Sequence, residues 1–234
     1  MSYALEPVGV VHSCFREKFG IPRQPGLVPE AAADLEIFPP FDRDEAFRGI
    51  GEFSHVWIIF VFHANLRESW KPTVRPPRLG GNRRQGVFAT RSGFRPNPIG
   101  MSAVALDGVV REKGKLILHL KGVDLMDGTP VLDIKPYLPY ADSLPQARGG
   151  FAEERPDMDM AVDFAPDAVL ACQAADNEHP GFSELLAQLL RCDPRPAYHG
   201  SRPGVKEFGM ALYDRNVRWT CDNDRICVTH VSMS

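Results

Sequence analysis

Gly86-Val87-Phe88-Ala89-Thr90-Arg91-Ser92-Gly93-Phe94-Arg95-Pro96-Asn97-Pro98-Ile99-Gly100 is a short strand-like run that ends in a stiff turn and leads into the next apolar run. Pro96 and Pro98 fix their own φ and push Arg95 and Asn97 toward extended backbone. A turn needed only to reverse the chain could be built from Asn-Gly or Pro-Gly. This one holds Arg91, Arg95 and Asn97 in set directions, which suits a polar ligand, although a solvated loop rich in Pro and Arg would read the same way. The same punctuation recurs on both sides. Pro7–His12, Asp34–Phe38, Ser54–His63, Gly86–Thr90, Met101–Arg111, Lys115–Val123 and Val131–Tyr137 read as strands rich in β-branched and aromatic residues, separated by Pro/Gly turns. No long helical periodicity appears before about residue 165. Many short strands with frequent turns predict a mainly β protein, an antiparallel barrel or sandwich.

Composition shifts over Tyr140–Pro156, where Ser143-Leu144-Pro145, Gly149-Gly150 and Glu153-Glu154-Arg155-Pro156 look like a linker or an irregular excursion. Beyond it, Met158–Phe164 reads as a strand. Gly181–Arg191 reads as a helix, with Phe182, Leu185, Leu186, Leu189 and Leu190 on one face, stopped by Asp193-Pro194. Glu207–Tyr213, Val217–Cys221 and Arg225–Val231 complete the chain as strands, the last two joined by Asp222-Asn223-Asp224. The expected organisation is a β-rich domain over 1–150 and a small α+β domain over 151–234.

The 234 residues are 44% hydrophobic and 24% charged, with a formal net charge of -3. That is ordinary globular composition, and no global basic field advertises nucleic acid. Charge is nevertheless concentrated. Arg67, Lys71, Arg75, Arg78, Arg83, Arg84, Arg91 and Arg95 face a single acid, Glu68, between positions 67 and 95. Such a block is either a phosphate-binding patch or a solvated loop with counter-charges elsewhere in space. Cys14, Cys172, Cys192, Cys221 and Cys227 show no metal-ligand spacing and no secretory signal precedes them, so they read as reduced thiols of a cytoplasmic protein. The longest apolar run, Val56–Phe62, fits a buried strand and is too short to span a membrane.

The common cofactor fingerprints are missing. Gly80-Gly81-Asn82-Arg83-Arg84-Gln85-Gly86 has the wrong spacing for a Rossmann turn or a phosphate-binding loop, and no HExxH, GxSxG or Cys/His metal set occurs. Among the histidines, His63 at the exit of the apolar strand is the one placed to act, though a lone His there is commonly just hydrogen-bonded or solvated.

Five segments carry a resemblance. Gly86–Gly100 is similar to the signature of the TsaA-like (TrmO-type) proteins. So are Phe19–Leu27, Thr73–Gly81, Asp124–Pro130 running into Asp133–Tyr137, and, near the C-terminus, Asp193-Pro194-Arg195-Pro196-Ala197-Tyr198. The resemblance spans nearly the whole chain and implies a tRNA methyltransferase that uses S-adenosylmethionine on an antiparallel β-barrel instead of a Rossmann sheet. It implies cofactor contacts at Arg23, Gln24, Pro25, His63, Ala64, Arg91, Met101, Lys121, Gly122, Val123 and Asp124. Arg91 or Arg23 can fork a carboxylate. Gln24 and backbone groups near Val123 can read adenine, and Asp124 can take hydroxyls or an ammonium. Lys121 suits a backbone role better than a side-chain one. Asp124 and Asp127 also lie in a Leu-Met-Asp-Gly-Thr-Pro stretch, where a turn alone would account for Asp, Gly and Pro.

For the family, the implied substrate is the N6 nitrogen of threonylcarbamoyl-adenosine at position 37 of the anticodon loop. That nitrogen is a urea nitrogen, so the chemistry needs in-line placement and removal of a proton. Arg95 and Asn97 are expected to hold the carbamoyl and threonyl carboxylate. Asp193 or Tyr198 is expected to accept the proton, and Arg195 to bind substrate, with this C-terminal motif closing the pocket. Arg75, Arg78, Arg83 and Arg84 are expected to contact phosphates. Trp70 can stack on a loop base or simply pack. The family forms homodimers; neither a metal nor a membrane is expected. Two alternatives remain open at this level: a non-catalytic S-adenosylmethionine or nucleotide-binding regulator, and a small-molecule methyltransferase on the same fold.

Overall fold

The computed structural model describes residues 3–66, 69–156, 158, 160–195 and 205–234. Six strands close into an antiparallel barrel: β1 (Gly9–Ser13), β2 (Ala32–Ile37), β3 (His55–Val61), β6 (Ile99–Glu112), β7 (Lys115–Lys121) and β8 (Thr129–Pro136), in the order β1-β2-β7-β6-β3-β8. Closure leaves the barrel itself without a sheet edge. Side chains alternate along each strand, so Leu35 and Ile37, Val56 and Ile58, and Leu116, Leu118 and Leu120 fill the interior. In the connection from β3 to β6, the two-residue strands β4 (Thr73–Val74) and β5 (Gln85–Gly86) pair with each other outside the barrel.

Two glycines are dictated by close approach. Gly100 pairs with Phe60 across β6 and β3, and a Cβ there would overlap the Phe60 ring. Gly122 has φ 68°, and its carbonyl accepts the Gly26 N–H at 2.8 Å, which draws the loop before β2 onto the end of β7. The long β6–β7 hairpin turns at Lys113 and Gly114, both at positive φ, as a two-residue reversal between right-twisted strands requires.

Past the short helix α1 (Pro139–Asp142), a second sheet of order β10-β11-β12-β9 is built from β9 (Ala161–Phe164), β10 (Lys206–Leu212), β11 (Arg215–Asp222) and β12 (Arg225–Met233). Here β9 runs parallel to β12 and the other pairs are antiparallel. Helix α2 (Pro166–Glu178) packs on β12, and α3 (Phe182–Arg191) packs on α2 and β9.

The segment between β1 and β2 lies in the seam between the two sheets. Phe19 stacks on Trp219 of β11 at 6.0 Å, the Tyr213 N–H donates to the Cys14 carbonyl at 2.9 Å, and the Ala211 N–H donates to Glu17 Oε1 at 2.9 Å. Phe15, Leu27, Val28 and Ala31 of this segment are buried in one continuous core with Leu189, Met210 and Trp219.

Two expectations need correction. Gly86–Thr90 is not a strand: only Gln85–Gly86 pairs, and Val87–Ala89 forms a 3-10 turn closed by the Thr90 N–H on the Val87 carbonyl at 3.1 Å. Helix α2 was not foreseen, because its buried stripe is Ala168, Cys172 and Ala175 while Val169 and Leu170 point outward. Its start carries two conventional signals, Pro166 and the acidic Asp167 in the first turn. Elsewhere the observed strands differ from the expected ones by a few residues at their ends. All five cysteines are free thiols.

Candidate active site

The principal cleft, about 2090 Å³, opens beside the barrel and is lined by four stretches far apart in sequence. These are the seam segment (Arg23, Gln24, Leu27), residues from Asn65 through Pro98, the stretch Gly149–Pro156, and Cys192, Asp193 and Arg195 after α3. The supposed linker at 149–156 is therefore a wall of the site. Arg78 donates to the Glu154 carbonyl and ties that wall to the basic loop.

At the cleft floor, Arg91 Nη1 donates to Gln24 Oε1 at 2.6 Å, and Gln24 Nε2 donates to the Arg23 carbonyl at 2.5 Å. The neighbouring Gly122–Val123–Asp124 turn is fixed by the Gly26 N–H on Gly122 and by the Val123 N–H on the Ala31 carbonyl, 3.0 Å. Asp124 Oδ1 accepts a 2.6 Å hydrogen bond from Ser102, whose side chain is fully buried in β6. Burial pushes the Asp124 carboxyl up to about 6, against the opposing pull of the Ser102 hydrogen bond, its own backbone N–H and the nearby Arg91 charge. Arg23, Gln24 and Arg91 thus line the cleft together, while Pro25, Gly122, Val123 and Asp124 do not line it; the turn at 122–124 lies behind it, tied through Gly26 and through the Arg91 charge felt by Asp124. Lys121 turns away, with Nζ 2.9 Å from Asp107 on the barrel exterior. The Ala64 carbonyl accepts from Lys18 Nζ at 2.6 Å.

His63 and Asn97 do not line this cleft. They border a smaller recess of about 290 Å³ with Leu5, Pro7, Val61, Ile99, Pro130 and Leu132. Met101 stands on the outer face of β6, 54% exposed. The stiff turn therefore splits its two polar residues, sending Arg95 to the cleft and Asn97 to the recess.

At the rim, Arg195 grips Asp193 in a fork, Nε to Oδ1 at 2.6 Å and Nη2 to Oδ2 at 2.8 Å, while Nη1 donates to the Asn223 carbonyl at 3.2 Å. Asp193 sits at φ 46°. Arg23 Nη2 reaches the Asp193 and Arg195 carbonyls at 3.5 and 3.3 Å, so the seam segment holds the C-terminal motif in place. Tyr198 lies outside the described residues. Lys71, Arg75, Arg78, Arg84, Arg91 and Arg95 line the cleft, whereas Arg83 is exposed away from it. Sequence reading missed Ser102 and Asn65. The first looks like an ordinary strand residue. The second lines the cleft with a buried Oδ1 that has no hydrogen-bond partner.

Among the described residues, Glu178, His179 and Asp214 approach metal-ligand spacing. Arg215 is buried between the two carboxylates, 2.7 Å from Glu178 and 2.9 Å from Asp214, and already pairs with both. No helix of the described residues is long and apolar enough to cross a membrane.

A closed six-strand barrel carrying an arginine-lined cleft with a buried carboxylate behind it defines the class of barrel methyltransferases that the sequence resembled. Residues 10–143 match the tRNA-methyltransferase O N-terminal domain, and residues 157–234 match the TrmO C-terminal domain. The chain belongs to the tRNA-methyltransferase O family. It is 49% identical over 218 residues to an Escherichia coli (strain K12) protein named tRNA (adenine(37)-N6)-methyltransferase, covering 93% of each chain. It is likewise 49% identical over 220 residues to a putative S-adenosylmethionine-dependent methyltransferase, RcsF, of Pseudomonas aeruginosa, covering 94% of this chain and 93% of that one. A crystal structure of TrmO from Pseudomonas aeruginosa superposes with a TM-score of 0.81 at 41% identity, over 99% of both chains.

Proposed function

We propose that this chain is a cytoplasmic tRNA methyltransferase that transfers a methyl group from S-adenosylmethionine to the N6 nitrogen of adenosine 37, in its threonylcarbamoyl form. The observation that carries the reading is the Gln24–Arg91 pair in an arginine-walled cleft, with the buried Ser102–Asp124 pair close enough behind it for Asp124 to feel the Arg91 charge. The donor set fits the cofactor: a guanidinium fork for its carboxylate, a buried carboxylate for its hydroxyls or ammonium, and a tightly held backbone turn for its base. When bound, S-adenosylmethionine supplies an electrophilic methyl group.

The chain's own task is to bind, orient and deprotonate. Arg91 holds the cofactor's carboxylate, with Gln24 fixing its fork, and Asp124 takes polar hydrogens. Arg95 grips the substrate's threonyl carboxylate from the cleft wall. Lys71, Arg75, Arg78 and Arg84 meet phosphates of the anticodon arm, giving affinity and register. The N6 proton is taken by the C-terminal motif, through Tyr198 or Asp193. Because both oxygens of Asp193 already accept from the Arg195 fork, which stabilises the ionised carboxylate, proton acceptance by Asp193 requires that fork to loosen, and the proton otherwise goes to Tyr198. Residues 151–234 act as the unit that closes the substrate site. The chain works as a homodimer through the outer barrel face, where Ile99 and Met101 stand exposed beside the recess that holds His63 and Asn97.

The test is incubation with methyl-labelled S-adenosylmethionine and two tRNA pools, one carrying threonylcarbamoyl-adenosine and one lacking it. Label in the modified pool alone is the expected result. Label in neither, with cofactor binding intact, would overturn the reading. Unchanged turnover in both Asp193→Asn and Tyr198→Phe would remove those two residues from the chemistry.

A further inference from the structure

Two large aromatic side chains at the cleft are left in water: Phe88 is 74% exposed and Trp70 is 50% exposed. Their rings lie 6.3 Å apart at 39°. Their outward placement is built by the backbone. The β4–β5 ladder pairs Thr73 with Gly86, and the Val87 N–H on the Pro72 carbonyl, at 2.9 Å, extends it. The continued register sets residue 71 opposite residue 88, and Trp70, one position further on, reaches the Phe88 ring diagonally. Val87 is buried and anchors the 3-10 turn. Thr90 Oγ1 donates to the Val87 carbonyl at 2.8 Å and accepts the Ser92 N–H at 3.3 Å. With Val87 turned in, Phe88 is held out. An aromatic pair exposed by a rigid turn gives up burial worth more than a scattered surface residue would.

The surroundings identify what covers it. Lys71, Arg75, Arg84 and Arg91 line the same cleft, so the occupant is anionic as well as flat-faced. Unpaired nucleotides combine a phosphate with a π face, and loop bases are typically read by splaying them onto aromatic rings. Resting on the tRNA reading above, we infer that Trp70 and Phe88 form a stacking platform for the unpaired base that flanks the methylated nucleotide. Gripping a neighbour prevents the target from restacking and holds it over the floor of Gln24 and Arg91, three residues along the chain from Phe88.

The test uses an anticodon stem-loop with 2-aminopurine at the flanking position and the variants Phe88→Leu and Trp70→Leu, which keep apolar bulk and lose the π face. Binding to the wild-type protein is expected to quench the fluorophore, and each variant to lose the quenching. The KM for tRNA should rise roughly 5- to 100-fold per variant, with S-adenosylmethionine affinity by calorimetry unchanged. Melting temperatures should match the wild type, because the substituted rings are exposed. Wild-type turnover with unaffected KM in both variants would sink the platform alone. A changed mass in sedimentation for either variant would also overturn it, by making the pair a contact between copies of this chain. Failure of the wild-type protein to methylate tRNA would remove the reading on which the platform rests.

Discussion

Replacing Asp124 with Asn should make the protein more stable at neutral pH while weakening cofactor binding. Asp124 is raised from 3.8 to about 6 chiefly by burial, so the fold favours its protonated form. Between those two values the native state holds a proton that the unfolded chain has released, and stability falls as pH rises through this window. The cost is absent near pH 4 and complete above about pH 7. A rise of roughly two pKa units corresponds to at most about 3 kcal/mol. Solvent at the open side of the site and the new amide hydrogens reduce the expected gain to about 1–2 kcal/mol. For a chain of this size that is a rise of about 2–8 °C in Tm. The Asn Oδ1 can still accept the Ser102 hydroxyl, so the local geometry survives. Thermal melts without cofactor at pH 4.5 and 7.5 check the claim, with calorimetric titration of S-adenosylmethionine alongside. An equal stability difference at both pH values, or a loss of stability at pH 7.5, would refute the reasoning, because the effect would then not come from a charge kept in a poor environment for the sake of the ligand.

Gly100→Ala should lower the urea midpoint by the equivalent of about 1–3 kcal/mol, since the new methyl must displace the Phe60 ring inside a closed barrel. Arg75→Ala and Arg84→Ala should each flatten the plot of log affinity for tRNA against log salt by about 0.7–0.9; a loss of affinity independent of salt would mean these residues touch bases or protein instead. Met101→Asp, at an exposed position on the proposed self-contact, should shift the mass measured by sedimentation from dimer to monomer while the isolated chain keeps its far-UV circular dichroism.

The barrel was legible because its strands are short runs rich in β-branched and aromatic residues cut by Pro/Gly turns, as in His55–Val61; which side faces in was not, because Trp57, Ile59 and Val61 on its outer side are as apolar as Val56, Ile58 and Phe60 within. Helix α2 was not, because burial there is done by small side chains at Ala168, Cys172 and Ala175, which carry little hydrophobic signal, while Val169 and Leu170 face solvent. The turn at Val87–Ala89 misled for the opposite reason: Val, Phe and Ala look like a strand, yet only Val87 is inside. At the site, motif residues could be named from the chain, but not how they meet. Gln24 and Arg91 are 67 residues apart and join only because the seam segment is folded between the two sheets. Ser102 reads as an ordinary strand residue, and nothing in the sequence shows that its buried hydroxyl meets Asp124, 22 residues on. The same holds for the division of Arg95 from Asn97, which depends on which side of a proline-stiffened turn each side chain leaves.

The charge distribution explains how a chain of net -3 can seek a polyanion. Positions 67–95 hold eight Arg and Lys against one Glu, a net +7, so the rest of the molecule carries -10. Six of those eight cations line the cleft. Averaged over the rest of the molecule, charge opposes nucleic acid, while the cations of positions 67–95 favour it at the cleft. At physiological ionic strength the screening length is about 8 Å, comparable to the reach of an Arg side chain plus its hydration, so steering acts only over the last steps of approach. Net charge adjusted by adding surface lysines far from the cleft would therefore raise non-specific tRNA binding without raising turnover. The acidic balance outside the basic block therefore favours encounters at the cleft over encounters elsewhere.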